Sequence, residues 1–245
     1  MKQGILMWLA GMIGVLFMLL LLPAMLINKT LSLPLWTILL TQLLQSSAII
    51  AFFIWIGMTF HSKVDLHSPC FEAIVTKHKF VERLCPQLKP GCVAGFIVGI
   101  FLIGLNYFIP PELIASAPQV NPIYRILTEV FYGGITEEIL MRWGLMTLIL
   151  WLLWRFIQRD QNTPSRLIVW ISILANSLLF ALGHIPAAHV LAGHLTAHIV
   201  TYIIIGNTLA GIVFSFLYKQ YGLEAAMIAH ASAHLIKELG LLLGG

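Results

Sequence analysis

Residues 1–27 read MKQGILMWLAGMIGVLFMLLLLPAMLI, an apolar run with charged or amide side chains only at Lys2 and Gln3. A helix needs about 20 apolar residues to cross the hydrocarbon core of a bilayer. The run is also much longer than the core of a signal peptide, which has about 7–15 residues. We therefore predict that it forms a retained first transmembrane helix.

Six further apolar runs follow, at approximately 35–60, 91–110, 125–154, 167–185, 199–218 and 223–243. Of the 245 residues, 59% are hydrophobic and only 10% are charged, which is too little polar surface for a water-soluble protein of this size. We predict an all-α, polytopic transmembrane helix bundle of about seven spans, with eight possible. Since no internal repeat or soluble segment stands out, residues 1–245 are expected to form a single membrane domain surrounded by the lipid bilayer.

The basic residues indicate the orientation of this bundle. The segment from His61 to Pro90 and the connection around Arg155 to Arg166 are rich in Lys and Arg, whereas the loop from Pro110 to Tyr124 has neither. Basic connections stay on the cytoplasmic side of a membrane. We therefore expect an integral multi-pass protein with a cytoplasmic N-terminus, and we attribute the formal charge of +4 to orientation. No nucleic-acid partner is expected.

The fourth run contains charges where a membrane helix should have none. Residues 133–144 read GGITEEILMRWG, with Glu137, Glu138 and Arg142 among apolar neighbours. Each charge at the bilayer centre costs at least about 2.5–3.5 kcal/mol, so a functional reason is the first hypothesis. Glu138 and Arg142 share a helical face and can form an ion pair. Glu137 points about 100° away and needs another partner, while Glu129 is expected to pair with Arg125 one turn earlier.

Two later runs carry histidines that could meet Glu137. The fifth ends in FALGH (180–184), and the seventh contains HASAH (230–234), which places two imidazoles one turn apart. That spacing is used when one helix supplies two metal ligands. A carboxylate can deprotonate water, imidazoles can hold the water or a metal, and a cation can stabilise an oxyanion. Together these groups favour a hydrolase without a serine or cysteine nucleophile, since no GxSxG or HExxH motif occurs.

Two other interpretations use the same residues. A non-catalytic scaffold or immunity protein could keep the charges as a network of buried pairs that locks its helices together. A proton-coupled transporter could use Glu and His as a proton relay, although no repeated halves support it.

The three motifs together resemble the CPBP family of intramembrane proteases, also called the Abi or CAAX-protease family. Its pattern is EExxxR, then FxxxH, then HxxxN. Residues 137–142 match the first motif, residues 180–184 match the second, and His230 opens the third, with His234 in place of the usual Asn. The resemblance covers approximately residues 124–239, which we take as the catalytic core.

The resemblance implies an endopeptidase that cleaves membrane-associated peptides or proteins. Glu137 would activate the water, His184 and His230 would position it, and Glu138 and Arg142 would support the site. His234 would donate to the oxyanion or strengthen a metal site. A divalent metal such as zinc, bound by Glu137, His184 and His230, is one possibility, and a metal-free mechanism is the other. The identity of the substrate stays open.

Three local expectations complete the picture. The stretch 186–198 is too short to cross the membrane and is expected to be re-entrant or interfacial, with its three histidines outside the site. His184 lies about 27 Å along its helix from Arg166 and would need a tilt or a helix break to come level with Glu137. The glycosylation sequon Asn28-Lys29-Thr30 is expected to be unused, because it lies against the membrane.

Overall fold

The computed structural model describes residues 1–27, 31–117 and 120–244, and these residues form helices without any strand. In chain order the helices are α1 (Lys2–Leu26), α2 (Leu35–Phe60), α3 (Pro69–Thr76), α4 (Phe80–Asn106), α5 (Pro111–Ala115), α6 (Pro122–Ile157), α7 (Arg166–Gly183), α8 (Ile185–Ala192), α9 (Ala197–Tyr221) and α10 (Leu223–Gly244). Within the described residues, seven helices are long and apolar enough to cross a membrane, namely α1, α2, α4, α6, α7, α9 and α10. The prediction of an all-α polytopic bundle with seven spans is confirmed. The side on which the N-terminus lies stays a prediction, and the sequon at 28–30 lies outside the described residues.

The outer surface of the bundle is apolar. Large hydrophobic side chains such as Leu20, Trp36, Trp55 and Leu167 are 60% to 68% exposed. In water such a surface would aggregate, whereas lipid tails solvate it well. Charged side chains show the opposite distribution, since Glu138 and Arg142 are completely buried. The structure therefore has the distribution of polarity expected of an integral membrane protein.

The third span begins earlier than the sequence predicts. We expected it at residue 91, after a polar connection from His61, but α4 starts at Phe80 and contains Pro86 and Pro90. A proline removes one backbone donor from a helix, and neighbouring helices and side chains can compensate for that loss. Here the packing of α4 on α10 supports the helix through both prolines.

Small residues bring α4 and α10 into close contact. Gly91, Gly95 and Gly99 follow one another at intervals of one turn and face α10. A Cβ atom at Gly95 would lie 2.6 Å from the carbonyl oxygen of Ala229, so only glycine allows this approach. The position of α10, and with it that of His230, depends on this contact.

The connection between α2 and α4 is fastened to the start of α10. The Glu224 carboxylate accepts hydrogen bonds from the backbone N–H groups of Cys70 and Phe71, both at 2.9 Å. Burial raises the pKa of the Cys70 thiol to about 12, with Glu224 adding to the effect. This thiol therefore stays protonated near neutral pH and is not a nucleophile.

The central helix α6 changes its hydrogen-bonding pattern in the region of the predicted motif. It is π-helical over Glu129–Glu137 and again over Ile139–Met146, and α-helical at both ends. The i→i+5 bonds of a π-helix place more residues in each turn, and such segments are frequent at functional sites. The charged motif of α6 thus lies in an unusual part of the backbone.

The first part of the stretch 186–198 belongs to the short helix α8, whose C-cap is Gly193 with a positive φ of 78°, and its last two residues begin α9. Ala188 packs with Ile199 and Ile203 of α9 and with Leu113 of α5. The helix is too short to cross a bilayer by itself, as expected, and its interfacial position stays a prediction.

Candidate active site

A cavity of about 210 Å³ lies among α4, α6, α7, α9 and α10. Glu137, His184, His230 and His234 contribute to its lining, so the structure brings together four predicted site residues from three helices. Glu138 and Arg142 are completely buried beside it. The remaining walls are mostly apolar, as is usual for a ligand pocket.

Glu138 is the buried member of the carboxylate pair. Its Oε1 atom lies 3.0 Å from Nη1 of Arg142, which is the ion pair that the i,i+4 spacing predicts. The same oxygen accepts a hydrogen bond of 2.7 Å from Nδ1 of His230. Glu138 therefore holds the imidazole of His230 in place, and it does not face the cavity.

Arg142 is held on several sides. Its Nη2 atom donates to the carbonyl oxygen of Gly211 on α9 at 3.3 Å. The guanidinium carbon also lies 4.7 Å from the ring centre of Phe180 and 5.5 Å from that of Phe214. Cation–π contacts of this kind gain strength when they are shielded from water. Arg142 thus links α6 to α7 and α9 directly behind the cavity.

Glu137 has a different environment from its neighbour. Its side chain is 19% exposed, and its two oxygens face the Nε2 atoms of His184 at 4.0 Å and His230 at 3.9 Å. These distances are too long for hydrogen bonds. The carboxylate therefore stands in the cavity between two imidazoles, with room for a small group such as a water molecule between them.

The proton positions of both imidazoles follow from their other hydrogen bonds. Nδ1 of His184 lies 2.8 Å from the carbonyl oxygen of Phe180, which can only accept, so Nδ1 carries the proton. Nδ1 of His230 likewise donates to the Glu138 carboxylate that is paired with Arg142. In their neutral forms both rings then carry a lone pair on Nε2, which faces Glu137 in His184 and lies 3.1 Å from Nε2 of His234 in His230.

The predicted difference in depth between His184 and Glu137 disappears in the structure. His184 caps the end of α7, 18 residues after Arg166, and Glu137 lies 20 residues before Ile157, so both residues are at a similar distance from the connection 158–165. The expected difference arose because the depth of Glu137 was counted from Arg125, at the opposite end of α6. The helix break after α7 is the one that Pro186 favours.

His234 connects the cavity to a chain of charges that the sequence did not reveal. Its Nε2 atom lies 3.1 Å from Nε2 of His230, and its Nδ1 atom lies 3.1 Å from the Glu129 carboxylate. Glu129 also pairs with Lys237 at 2.8 Å. Since Nδ1 of His230 already carries the proton of the neutral ring, His234 supplies the N–H between the two rings.

The expected pair between Glu129 and Arg125 is wrong. Arg125 instead pairs with the buried Glu238 at 2.6 Å, and Glu129 faces α10. The last turns of α10 lie beside the first turns of α6, so partners on the neighbouring helix are closer than the partner one turn away. The spacing of His234 and Lys237 on one face of α10 was the signal in the sequence that could have revealed this contact.

The family model of the type II CAAX prenyl endopeptidase Rce1-like proteins matches residues 119–236. These residues, just under half of the chain, are similar to that family. The match confirms the resemblance drawn from the three motifs, and it supports a membrane protease that acts on membrane-associated substrates. The chain matches no curated protein and no solved structure.

The Rce1-like segment includes all the predicted site residues but not the whole site. Leu102 of α4 lines the cavity although it precedes the matched residues. The hydroxyl of Thr136 donates to the carbonyl oxygen of Gly11 on α1 at 2.7 Å, so α1 supports α6 next to Glu137. The helices before residue 119 therefore help to position the Rce1-like segment.

A metal ion bound by Glu137, His184 and His230 stays a prediction, and the two imidazoles face different oxygens of the carboxylate, His184 facing Oε1 and His230 facing Oε2. No choice of one ligand atom from each of the three residues places all of them within 4.8 Å of one another in the part of the chain that the structure describes. The Nε2 lone pair of His230 is also occupied by the N–H of His234. We therefore derive no step through a metal at this position.

Proposed function

We propose that the protein is an intramembrane endopeptidase in which Glu137 activates a water molecule for attack on a peptide bond. One observation carries the proposal, namely that Glu137 is a partly exposed carboxylate between two imidazoles while Glu138 is buried in an ion pair. Two adjacent acids in such different environments can have different tasks. Glu138 maintains the site, and Glu137 is available for proton transfer.

The reaction begins with water bound between Glu137 and His184. Glu137 takes one proton of the water, and Nε2 of His184 accepts a hydrogen bond from the other. The water oxygen then attacks the carbonyl carbon of the peptide bond. Glu137 delivers its proton to the leaving nitrogen as the C–N bond breaks, so the carboxylate is regenerated at the end of each cycle.

The oxyanion of the tetrahedral intermediate needs a donor on the opposite side of the carbonyl carbon. We assign this role to His234, whose Nε2–H group lies at the cavity and exchanges its hydrogen bond to Nε2 of His230 for one to the oxyanion. A donor aimed at the developing charge typically contributes a factor of about 10²–10³ to the rate. His234 thus replaces the amide that the family motif normally has at this position.

Glu138 and Arg142 act as positioning residues in this scheme. They hold the ring of His230 through the 2.7 Å hydrogen bond and the ion pair behind it. The fixed ring in turn orients His234. A pure helix-locking network would not require Glu137 to remain unpaired at the cavity, so the geometry favours the protease over the scaffold.

We propose C-terminal peptides of prenylated proteins as the substrate class, because the matching family is described by that activity. The decisive assay uses the purified full chain in detergent with a prenylated CAAX peptide, the same peptide without its prenyl group, and an unrelated membrane peptide. We expect cleavage of the prenylated peptide above the other two. If none of the three is cleaved, the protease proposal fails, and equal cleavage of all three would refute the substrate class alone.

Chelation should leave the rate of cleavage unchanged. The donor distances around Glu137 suit a hydrogen-bonded water, so no metal ion is expected to take part in the proposed reaction. The measurement compares initial rates before and after treatment with a strong chelator, at a temperature well below melting. If chelation abolishes cleavage by protein that thermal melting shows to be still folded, and added zinc restores it, the metal-free mechanism is wrong.

A methyl group at Gly133 should disturb the histidine pair. A Cβ atom there would lie 2.9 Å from Nε2 of His234 and 3.3 Å from Nε2 of His230. We expect Gly133→Ala to lower the cleavage rate by about 10²-fold, since a displacement of about 1 Å can have that effect. Gly104→Ala is the matched control, because no atom lies within 4 Å of the added methyl group. Equal rates for both variants would contradict the proposed role of His234.

A further inference from the structure

A second cluster of ligating side chains lies on the connection between α2 and α4. One ligand atom each of His61, His67 and Glu72 lies within 4.8 Å of the other two. Among the described residues, no other group of three or more His, Cys, Asp or Glu residues meets this distance. His61 follows the end of α2, His67 lies in the loop, and Glu72 lies on α3. The cluster thus draws ligands from three consecutive segments.

Both imidazoles have one nitrogen fixed by a neighbour. Nδ1 of His61 donates to the carbonyl oxygen of Leu66 at 3.0 Å, which leaves Nε2 with a lone pair. Nε2 of His67 donates to the Asp65 carboxylate at 3.0 Å, which leaves Nδ1 with a lone pair. Histidines that bind metals almost always use their second nitrogen in this way, with a carbonyl or carboxylate that sets the tautomer and the ring orientation.

The loop that carries these ligands is held firmly from the other side. Asp65 adopts the left-handed conformation with φ 54°, and Lys219 of α9 donates to its carbonyl oxygen at 2.8 Å and to its carboxylate at 3.1 Å. The backbone N–H of Leu223 donates to the carbonyl oxygen of His67 at 3.0 Å. The side chain of Leu66 between them is buried. The ligands are therefore positioned before any ion binds.

From this geometry we infer that His61, His67 and Glu72 bind a divalent transition-metal ion, with zinc as the best fit. Two imidazoles and one carboxylate are a common set of three protein ligands for zinc, with water in the fourth position. The hard ions magnesium and calcium prefer oxygen ligands and do not suit two imidazoles. The bound ion ties the end of α2 and the start of α3 to the junction of α9 and α10, and it takes no part in peptide hydrolysis.

Zinc binding to the full chain tests this inference directly. The protein is purified in detergent, freed of any affinity tag, stripped with chelator and titrated with zinc in a calorimeter. We expect His67→Ala to remove one bound ion, with an increase in Kd of more than about 100-fold. His67 is exposed, so this variant should fold. His78→Ala, an exposed histidine on the same connection, is the matched control and should bind zinc as wild type does.

A third variant tests the orientation of the ring. Asp65→Asn keeps a side chain that tolerates the left-handed conformation but weakens the bond to His67. We expect it to raise the Kd by about 10- to 100-fold, as is typical for a partner of a metal ligand. Zinc should also raise the melting temperature of wild type and of His78→Ala, but not that of His67→Ala.

The candidate active site is the competing location for the ion. His184→Ala removes an imidazole from that cavity and should leave zinc binding at the α2–α4 connection intact. The inference is overturned if wild type binds no zinc, if His67→Ala binds as tightly as wild type, or if the only bound ion disappears in His184→Ala. The cleavage rate is a separate readout, so failure here would not count against the proposed protease.

Discussion

Glu137→Gln should reduce peptide cleavage by at least about 10²-fold while the melting temperature stays close to that of wild type. Glutamine has nearly the same shape as glutamate but cannot take a proton from water. The side chain faces the cavity at 3.9–4.0 Å from its nearest imidazoles, so no strong ion pair is lost in the exchange. Initial rates on the cleaved peptide and thermal melting in the same detergent check both parts of the prediction.

Glu82→Gln is the matched control for this experiment. Glu82 lies on the exposed start of α4, and its ion pair among the described residues is with Lys79, which is exposed as well. The control should cleave and melt like wild type. The opposite pattern for Glu137→Gln, with normal cleavage and a clearly lower melting temperature, would mean that the carboxylate locks helices together and that the scaffold interpretation is right.

Arg142→Met should destabilise the fold by about 3–5 kcal/mol. The substitution leaves the Glu138 carboxylate buried without its cation, and it removes the contacts of the guanidinium with Phe180 and Phe214. A buried charge that loses its partner has neither water nor an opposite charge to stabilise it. Reversible unfolding in a denaturing detergent gives the free energy of unfolding for wild type and variant.

Two further variants show whether the loss of stability in Arg142→Met comes from the unpaired buried charge of Glu138. Lys79→Met breaks the pair with Glu82, in which the side chains are 74% and 63% exposed, and should change stability by less than about 1 kcal/mol. The double variant Glu138→Leu with Arg142→Met removes both charges and should recover most of the stability. If Arg142→Met has the same free energy of unfolding as wild type, the Glu138–Arg142 pair does not stabilise the bundle.

The spans were predictable because each of them is a run of about 20 apolar residues, and lipid requires that pattern. The start of α4 was not predictable in this way. Glu82, Arg83 and Lys89 resemble a connection, and Pro86 and Pro90 resemble helix breakers. The part of a helix that extends beyond its apolar run can contain polar residues. Hydropathy therefore does not show where such a helix begins.

The candidate active site was predictable to the extent that charged residues inside apolar runs are energetically unfavourable in a membrane. This rule identified Glu137, Glu138 and Arg142, and the motif spacing added the histidines of α7 and α10. It did not identify the position of Glu129 beside His234, or the pair between Arg125 and Glu238. Those contacts depend on how far α10 is displaced along α6. The spacing of His234 and Lys237 indicates which face of α10 takes part, but it does not give that displacement.

The contact between α4 and α10 places few requirements on the sequence of α4. The contact requires a small residue once per turn of α4, at Gly91, Gly95 and Gly99. The lipid-facing positions between them can hold any apolar side chain. Many unrelated apolar sequences satisfy that demand. Because α4 lies outside residues 119–236 and contacts α10 at these glycines, the matched segment alone is expected to lose the position of His230.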